Sequence, residues 1–260
     1  MNFPHVRPAP FSLKRQPGFG FIAVMCFFML YAPIITLVIY SFNAGKYIAI
    51  WEGFSLQWYV AAWSNDAVQD AAIRSFVLAV QASGYSTVLA LMVALGTTRT
   101  RPFPGQKLIY MMINQPLMVP EIVTAVALLI LFAVIKMLTG IQGMYYLVAA
   151  HTAFCIPFAY LPIRARLEGM DLILETAAAD LYATPWKTFR WVTLPLLWPG
   201  IIAGAMLAFV ISLDDVVITE FVKSAGQETL PTYMLGQFRR VITPEINAIS
   251  TVLLGVSLLA

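Results

Sequence analysis

Six long apolar regions account for most of this 260-residue chain. A helix needs about 20 apolar residues to cross the hydrocarbon core of a bilayer. Hydrophobic residues make up 60% of the chain and charged residues 11%, against about 45–50% and 25% in soluble domains. We therefore predict an all-α polytopic membrane protein with one transmembrane domain at 19–260, whose six transmembrane helices cover about 19–42, 75–97, 108–136, 144–163, 199–219 and 246–260.

The sequence also allows a prediction for each of the two terminal apolar regions. The sixth apolar region runs only to Ala260, too short for a hydrocarbon core of about 30 Å, so we expect the natural chain to continue. The first region has about 24 residues, follows three positive charges and lacks an Ala-x-Ala exit. It is therefore predicted to be an uncleaved anchor rather than a signal peptide.

The basic residues predict the orientation in the membrane. If the segment 1–18 is cytoplasmic, ten of the 16 Lys and Arg residues fall on the inner side, with only four of the 13 acidic residues. Basic residues concentrate in cytoplasmic loops, which favours this topology. The outer segments and the spans then hold an excess of acidic residues, a weak indication of a cationic ligand.

The inner loop at 164–198 contains the most informative pattern. Asp171 is a candidate N-cap for an alanine-rich helix, Pro185 suits the first turn of a second, aromatic helix, and Pro195 is predicted to end that helix. An amphipathic helix on lipid headgroups would explain the tryptophans of the second helix. It would not explain the alanine-rich first helix, whose small side chains permit close approach by another protein.

The loop contains Thr176-Ala177-Ala178, then Tyr182 after three further residues, and later the Leu194-Pro195 pair. This spacing resembles the EAA loop of the permease subunits of ABC importers. Six further blocks are similar to the polyamine branch of that family, the putrescine and spermidine permeases; they lie at 31–35, 41–43, 51–59, 120–123, 212–217 and 244–248. The resemblance implies a type I ABC importer permease architecture and an ATPase-coupling role for Glu175, Thr176, Ala177, Ala178, Asp180, Tyr182, Ala183, Leu194 and Pro195.

The resemblance also implies the setting in which the chain works. We expect a bacterial inner membrane, contact with membrane lipid, a second permease subunit, two cytoplasmic ATPase subunits and a periplasmic polyamine-binding protein, and we expect no nucleic acid. The sequence contains no Gly-x4-Gly-Lys-Ser/Thr, the motif that cradles nucleotide phosphates. The chain is thus predicted not to be an enzyme and to bind no cofactor or metal, with ATP and Mg used by the ATPase partners.

Two positions depart from the family pattern. Thr176 stands where the family has Glu, and Glu175, one position earlier, is a candidate substitute. Tyr182 stands where the family has Gly, a residue that turns the chain at little cost. Three explanations stay open: a different turn, a matching recess in the ATPase, or a degenerate loop with weak coupling.

Ionisable residues within the spans indicate a substrate path, because charge near mid-bilayer costs about 2.5–3.5 kcal/mol on insertion scales. Pro116 and Pro120 are predicted to break or kink the span, and Glu121 is predicted to begin a helix after them. Asp214 and Asp215 would point about 100° apart on one helix. One of them would receive a substrate ammonium and the other would bond a neighbouring helix or cap a break. A solvated acid pair at the outer mouth is the alternative.

Aromatic side chains would complete a polyamine path, since cation–π contacts contribute about 0.5–2 kcal/mol. Tyr31 and Trp58 are the candidates, with an ordinary interfacial aromatic belt as the alternative. His151 and Cys155 are predicted to pack internally with a hydrogen bond rather than to hold a metal. Rival functions are a secondary carrier, or a permease for another small cationic or basic compound.

Overall fold

The computed structural model describes residues 18–47, 50–141, 143–239 and 244–259, and in these parts it contains helices and no strand. The all-α prediction is confirmed. The predicted cytoplasmic segment 1–18 lies, apart from Gly18, outside the described residues. The described residues form twelve α-helices and one π-helical turn, Phe189–Thr193. In chain order the α-helices are α1 Phe19–Tyr40, α2 Gln57–Trp63, α3 Asp66–Thr98, α4 Gln106–Met118, α5 Glu121–Thr139, α6 Tyr145–Glu168, α7 Ile173–Asp180, α8 Pro185–Thr188, α9 Leu194–Asp214, α10 Val217–Val222, α11 Leu230–Phe238 and α12 Pro244–Leu259.

Five helical stretches in the described residues are long and apolar enough to cross a membrane. They are α1, α3, α5, α6 and the continuous stretch Pro185–Asp214. The sixth, α12, is apolar but shorter. The helices differ in extent from the predicted regions: α3 begins nine residues before position 75, α6 continues into the predicted loop at 164–198, and the region 108–136 is divided between α4 and α5.

Helices α3, α6 and α9 pack against one another and form the core of the molecule. Small side chains allow this packing, because they let helix backbones approach closely. Close approach matters in lipid, where no hydrophobic driving force brings the helices together. Ala79, Ser83 and Thr87, spaced by four on α3, are all buried. Small residues spaced by four predict, from the sequence alone, a helix face suited to close packing, and the structure buries this face.

The contact between α6 and α9 is closer still. Gly200, Gly204, Ala208 and Ser212 recur every four residues along α9 and all are buried. A Cβ atom built on Gly204 would lie 2.7 Å from the backbone oxygen of Ala159 on α6. No side chain fits between the two backbones at this point, so glycine sets the distance between the helices.

The remaining helices surround this core. α10 packs on α5 and α6, α4 packs on α6, and α12 contacts α1 and α2. None of the side chains of α1 is buried within the chain. Its apolar surface is therefore available to lipid or to another subunit.

Candidate functional site

The first break in a span lies between α4 and α5. Val119 is extended, Pro120 precedes the first turn of α5, and Glu121 is the first residue of that helix. Proline at position 120 disfavours helical backbone at Val119. A carboxylate at this position also benefits from the helix dipole. The prediction that Glu121 begins a helix after a break at Pro120 is confirmed, whereas Pro116 lies inside α4 and does not interrupt that helix.

The second break separates α9 from α10. Asp214 is the last residue of α9, and Asp215 has an extended backbone. The Asp215 carboxylate accepts hydrogen bonds from the backbone N–H of Ile218 at 3.3 Å and of Thr219 at 2.9 Å, and so caps α10. The two acids do not share one uninterrupted helix, because α9 ends at Asp214. The prediction that one of them would bond a neighbouring helix or cap a break is confirmed for Asp215, whose carboxylate stabilises the new helix start.

A buried histidine fixes this break to the core. On α6, the His151 Nδ1 atom lies 2.8 Å from Ser212 Oγ, and its Nε2 atom lies 2.9 Å from Thr219 Oγ1 and 3.4 Å from Asp215 Oδ2. The Thr219 hydroxyl donates to Asp215 Oδ2 at 2.8 Å, so its oxygen accepts from Nε2–H. Nδ1 then accepts from the Ser212 hydroxyl.

This network satisfies every polar atom of the imidazole inside the membrane domain, where His151 is 1% exposed. Cys155, one turn further along α6, donates to the Ala208 carbonyl at 3.5 Å. The prediction that these two residues pack with an internal hydrogen bond is confirmed. The sequence offered no sign that Ser212 and Thr219 would be the partners, since they lie more than 60 residues away.

The two breaks meet at a cavity of about 430 Å³. Three carboxyls face it, and the described residues that line it include no Lys or Arg. Asp214 is exposed and accepts from the Ser257 hydroxyl at 3.3 Å, whereas Asp215 is only 6% exposed. The lining residues are Glu121, Phe154, Phe158, Val210, Ile211, Asp214, Asp215, Val216 and Val217.

The chemistry of this cavity favours a cation with an apolar body. Glu121 and Asp215 line the same cavity, and a positive charge held between carboxylates removes their mutual repulsion. The rings of Phe154 and Phe158, with centroids 5.5 Å apart, offer apolar surface and aromatic faces beside the acids.

The two aromatic candidates lie elsewhere. Tyr31 is 48% exposed on α1 and stacks on Phe27 with 6.2 Å between ring centroids. The Trp58 indole donates to the Asn43 carbonyl at 2.9 Å. Neither side chain lines the cavity of the three acids, so their part in a substrate path stays a prediction.

The inner loop is tied to the core by Glu175 of α7. Its carboxylate pairs with Arg99, which follows α3, at 3.2 Å, and accepts from the Thr193 hydroxyl at 2.9 Å. Arg99 also donates to the Leu167 carbonyl at the end of α6 at 3.1 Å. Glu175 is thus a partly buried internal contact. Sequence reasoning missed Arg99 and Thr193, because nothing local marks either as its partner.

The turn after α7 is a Schellman motif, in which the backbone folds back onto the last turn of the helix. The N–H of Ala183 donates to the Ala178 carbonyl at 3.0 Å, and the N–H of Tyr182 donates to the Ala179 carbonyl at 2.9 Å. Tyr182 has φ 57°, in the left-handed region that costs residues other than glycine about 1–2 kcal/mol. The chain therefore makes the turn that a glycine would make, and the tyrosine bears the strain.

The loop returns to the membrane through one continuous helical stretch, Pro185–Asp214. The Thr184 side chain caps its start by accepting from Lys187 N–H, and Pro185 occupies the first turn as predicted. The prediction that Pro195 ends the second helix is wrong. A proline ring clashes with the carbonyl four residues earlier. In the π-helical turn Phe189–Thr193, the N–H of Leu194 bonds the carbonyl of Phe189, five residues back. This wider turn opens the helix just before Pro195.

Most residues assigned to coupling lie at the surface of the loop. Thr176, Ala177, Asp180, Tyr182 and Pro195 are exposed, whereas Ala178, Ala183 and Leu194 are partly buried. The Thr176 hydroxyl bonds the Leu172 carbonyl within its own helix. The loop surface is also apolar, with Leu181, Trp186 and Trp191 each more than two-thirds exposed.

Comparisons with known proteins agree with this architecture. Residues 86–260 match the family model of the binding-protein-dependent transport system inner membrane component. The chain is 38% identical over 244 residues to the putrescine transport system permease protein PotI of Escherichia coli (strain K12), an alignment that covers 93% of this chain and 87% of that protein. It is 37% identical over 230 residues to the spermidine/putrescine transport system permease protein PotC of the same strain, covering 88% and 85%.

Solved structures share the fold at low sequence identity. A bacterial ABC transporter involved in the import of the acidic polysaccharide alginate superposes with a TM-score of 0.69 at 13% identity, covering 96% of each chain. The MetNI methionine ABC transporter superposes with a TM-score of 0.59 at 18% identity, covering 73% of this chain and 88% of that one. The chain belongs to the family of binding-protein-dependent transport system inner membrane components, and it is a multi-pass protein of the inner membrane.

Proposed function

We propose that this chain is a permease subunit of an ATP-driven, binding-protein-dependent importer of polyamines of the putrescine and spermidine class. One observation carries the proposal: three carboxyls at two helix breaks share a cavity with aromatic and aliphatic side chains. A polyamine has ammonium groups joined by methylenes, so it needs acidic groups for its ends and apolar surface for its body. The names of the relatives PotI and PotC support the same class of substrate.

The three acids have different parts in this proposal. Asp215 is committed to the α10 cap and to His151, and it stabilises the break. Asp214 is exposed to the cavity and has only a 3.3 Å bond from Ser257, so its carboxylate receives a substrate ammonium. Glu121, at the start of α5, faces the same space from the other break and contributes the second negative charge.

Energy comes from other polypeptides. The loop containing α7 docks on a cytoplasmic ATPase, a second permease supplies the other half of the path and the second coupling loop, and a periplasmic protein delivers the polyamine. This arrangement requires the amino terminus and the loop to be cytoplasmic. Ala178→Cys in a cysteine-free background should react with a membrane-impermeant thiol reagent only from the inner side. Labelling from outside would overturn the orientation and the coupling role together.

The experiment that tests the substrate path compares three isosteric changes. Putrescine and spermidine uptake is measured in cells, and assembly is measured by co-purification of the ATPase. Asp214→Asn and Glu121→Gln should each lower uptake about tenfold or more, because a charge-assisted contact contributes about 1.5–3 kcal/mol, while assembly is kept. Asp215→Asn should lower assembly and thermal stability as well as uptake.

Three outcomes would contradict all or part of the proposal. Unchanged uptake in Asp214→Asn and Glu121→Gln would remove the acids from the path. Uptake that an uncoupler abolishes while cellular ATP is held constant would assign the chain to a secondary carrier. Competition by a different small cation, stronger than competition by either polyamine, would keep the ATP-driven mechanism and change the substrate.

A further inference from the structure

A second large cavity lies between α3 and the inner loop, away from the two helix breaks. Its volume is about 800 Å³, and it shares no lining residue with the cavity of the three acids. We call it the loop groove. Apolar side chains make up most of its lining, among them Val88, Leu91, Met92 and Leu95 of α3 on one wall and Trp186 and Phe189 on the other.

The length of the loop groove matches one leaflet of a bilayer. Along α3 its lining runs from Val88 to Arg99, which directly follows the helix, a distance of eleven residue steps. At about 1.5 Å per residue this is about 16 Å, close to half of a hydrocarbon core of about 30 Å. The groove therefore extends from the level of the bilayer centre to the membrane surface on the side of the inner loop.

The surface end of the groove is electrically neutral inside and basic outside. Among the described residues that line it, the acid is Glu175, and its carboxylate is paired with Arg99 at 3.2 Å. The wall segment 185–193 contains Lys187 and Arg190 and no acidic residue, and both basic side chains are exposed. Basic side chains at the membrane surface attract anionic lipid headgroups.

Two tryptophans place the same wall at the level of the headgroups. Trp186 is 69% exposed and Trp191 is 73% exposed, and the Arg190 guanidinium lies 5.2 Å from the centre of the Trp191 ring. Tryptophan is enriched at the boundary between hydrocarbon and water, where its ring is partly apolar and partly polar. Their exposure is thus explained by contact with lipid.

We propose that the loop groove is a binding site for one anionic phospholipid. An acyl chain lies along α3 between Val88 and Leu95, and the headgroup phosphate is bound by Lys187 and Arg190 at the surface end. A free phosphate ion would meet the same two cations but would leave the apolar length of the groove unfilled, so the observations favour the whole lipid. The site is independent of the proposed transport function, because it contains none of the three cavity acids.

The first test measures the choice of headgroup. The full chain, with the subunits that co-purify with it, is placed in nanodiscs containing equal amounts of phosphatidylglycerol and phosphatidylcholine, and the lipids that it retains are counted by native mass spectrometry. Wild type should retain phosphatidylglycerol in preference. Lys187→Gln combined with Arg190→Gln should lower this preference about tenfold or more. Lys46→Gln combined with Arg239→Gln removes the same charge from exposed positions outside the loop, and it should leave the preference unchanged.

The second test fills the groove. Met92 is 64% exposed and lines the groove, whereas Val80 is 48% exposed on the same helix and does not line it. Met92→Trp should lower the retention of both lipids by about tenfold, because the larger side chain occupies the space of the acyl chain. Val80→Trp is the matched control and should retain as much lipid as wild type. Damage to the fold would not make one variant alter the headgroup preference and the other the total amount.

Four outcomes would overturn the inference. Equal retention of the two lipids by wild type would remove the anionic preference, and unchanged retention in Met92→Trp would remove the groove. Release of phosphatidylglycerol by inorganic phosphate alone would reduce the site to a phosphate site. Loss of a co-purifying subunit in Met92→Trp, with lipid retention unchanged, would assign the groove to a protein partner.

Discussion

The contact between α6 and α9 predicts whether a substitution at Gly204 stabilises or destabilises the protein. A Cβ at Gly204 would lie 2.7 Å from the Ala159 carbonyl oxygen and 3.3 Å from the Ala159 carbonyl carbon and Cα. All three atoms belong to the backbone of a packed helix, so none of them can rotate away. Gly204→Ala must therefore push the two helices apart by a few tenths of an ångström or more, and overpacking of this kind costs about 1–3 kcal/mol.

Helix propensity acts in the opposite direction, so the sign of the measured change in stability is informative. Alanine in a helix is favoured over glycine by about 0.8–1.0 kcal/mol. At Gly84 in α3 a Cβ would meet nothing within 4 Å, so Gly84→Ala shows this propensity gain alone and should be neutral or stabilising. Gly204→Ala should be less stable than Gly84→Ala by about 1–3 kcal/mol, which leaves a net destabilisation of up to about 2 kcal/mol after the same gain is subtracted.

Thermal unfolding of the purified protein in detergent measures the difference between the two variants. Uptake gives a second measurement, because Ser212 lies two turns beyond Gly204 and must stay 2.8 Å from His151. Gly204→Ala should lower both the melting temperature and uptake relative to Gly84→Ala. Equal melting temperatures for the two variants would show that the backbones are not in contact, and the account of the core would be wrong.

Two further predictions concern the polar junctions. His151→Leu should destabilise the protein by about 2–3 kcal/mol, because buried hydroxyl and carboxylate groups lose their partner. His151→Gln, whose side chain both donates and accepts hydrogen bonds, should recover part of the lost stability. Equal melting temperatures for His151→Leu and wild type would refute this role. Glu175→Gln should reduce the ATPase stimulation caused by the loaded periplasmic protein more than Glu168→Gln does. The control Glu168→Gln removes only an exposed ion pair with Arg164, and such pairs contribute at most about 1 kcal/mol. Similar ATPase stimulation in these two variants would show that the Glu175 junction has no part in coupling.

The sequence predicted those features that depend on neighbouring residues. Pro120 predicted the break before Glu121, because proline restricts its own backbone and that of the preceding residue, whereas Pro116 is accommodated inside α4. The spacing of Ala79, Ser83 and Thr87 predicted a packed face, since residues four apart lie on the same side of a helix. In both cases the physical cause lies within a few residues of the effect.

Features that depend on distant partners could not be predicted in the same way. Asp215 is a cap because His151 and Thr219 complete its surroundings, and His151 belongs to a different helix. Pro195 was expected to stop a helix, yet prolines persist in membrane helices when local adjustments satisfy the freed backbone groups. Here the adjustment is a π-helical turn whose position no local pattern marks.

The unbroken stretch Pro185–Asp214 also has a mechanical consequence. Thr193, bonded to Glu175, is a natural pivot, and the 21 residues of α9 beyond it form a rod about 32 Å long. A tilt of only about 5° at the pivot would displace Asp214 sideways by about 3 Å, roughly the length of one hydrogen bond. If the proposed function is correct, a small rocking of the loop at 164–198 would be amplified, along a single lever arm, into the making or breaking of a contact with the transported cation.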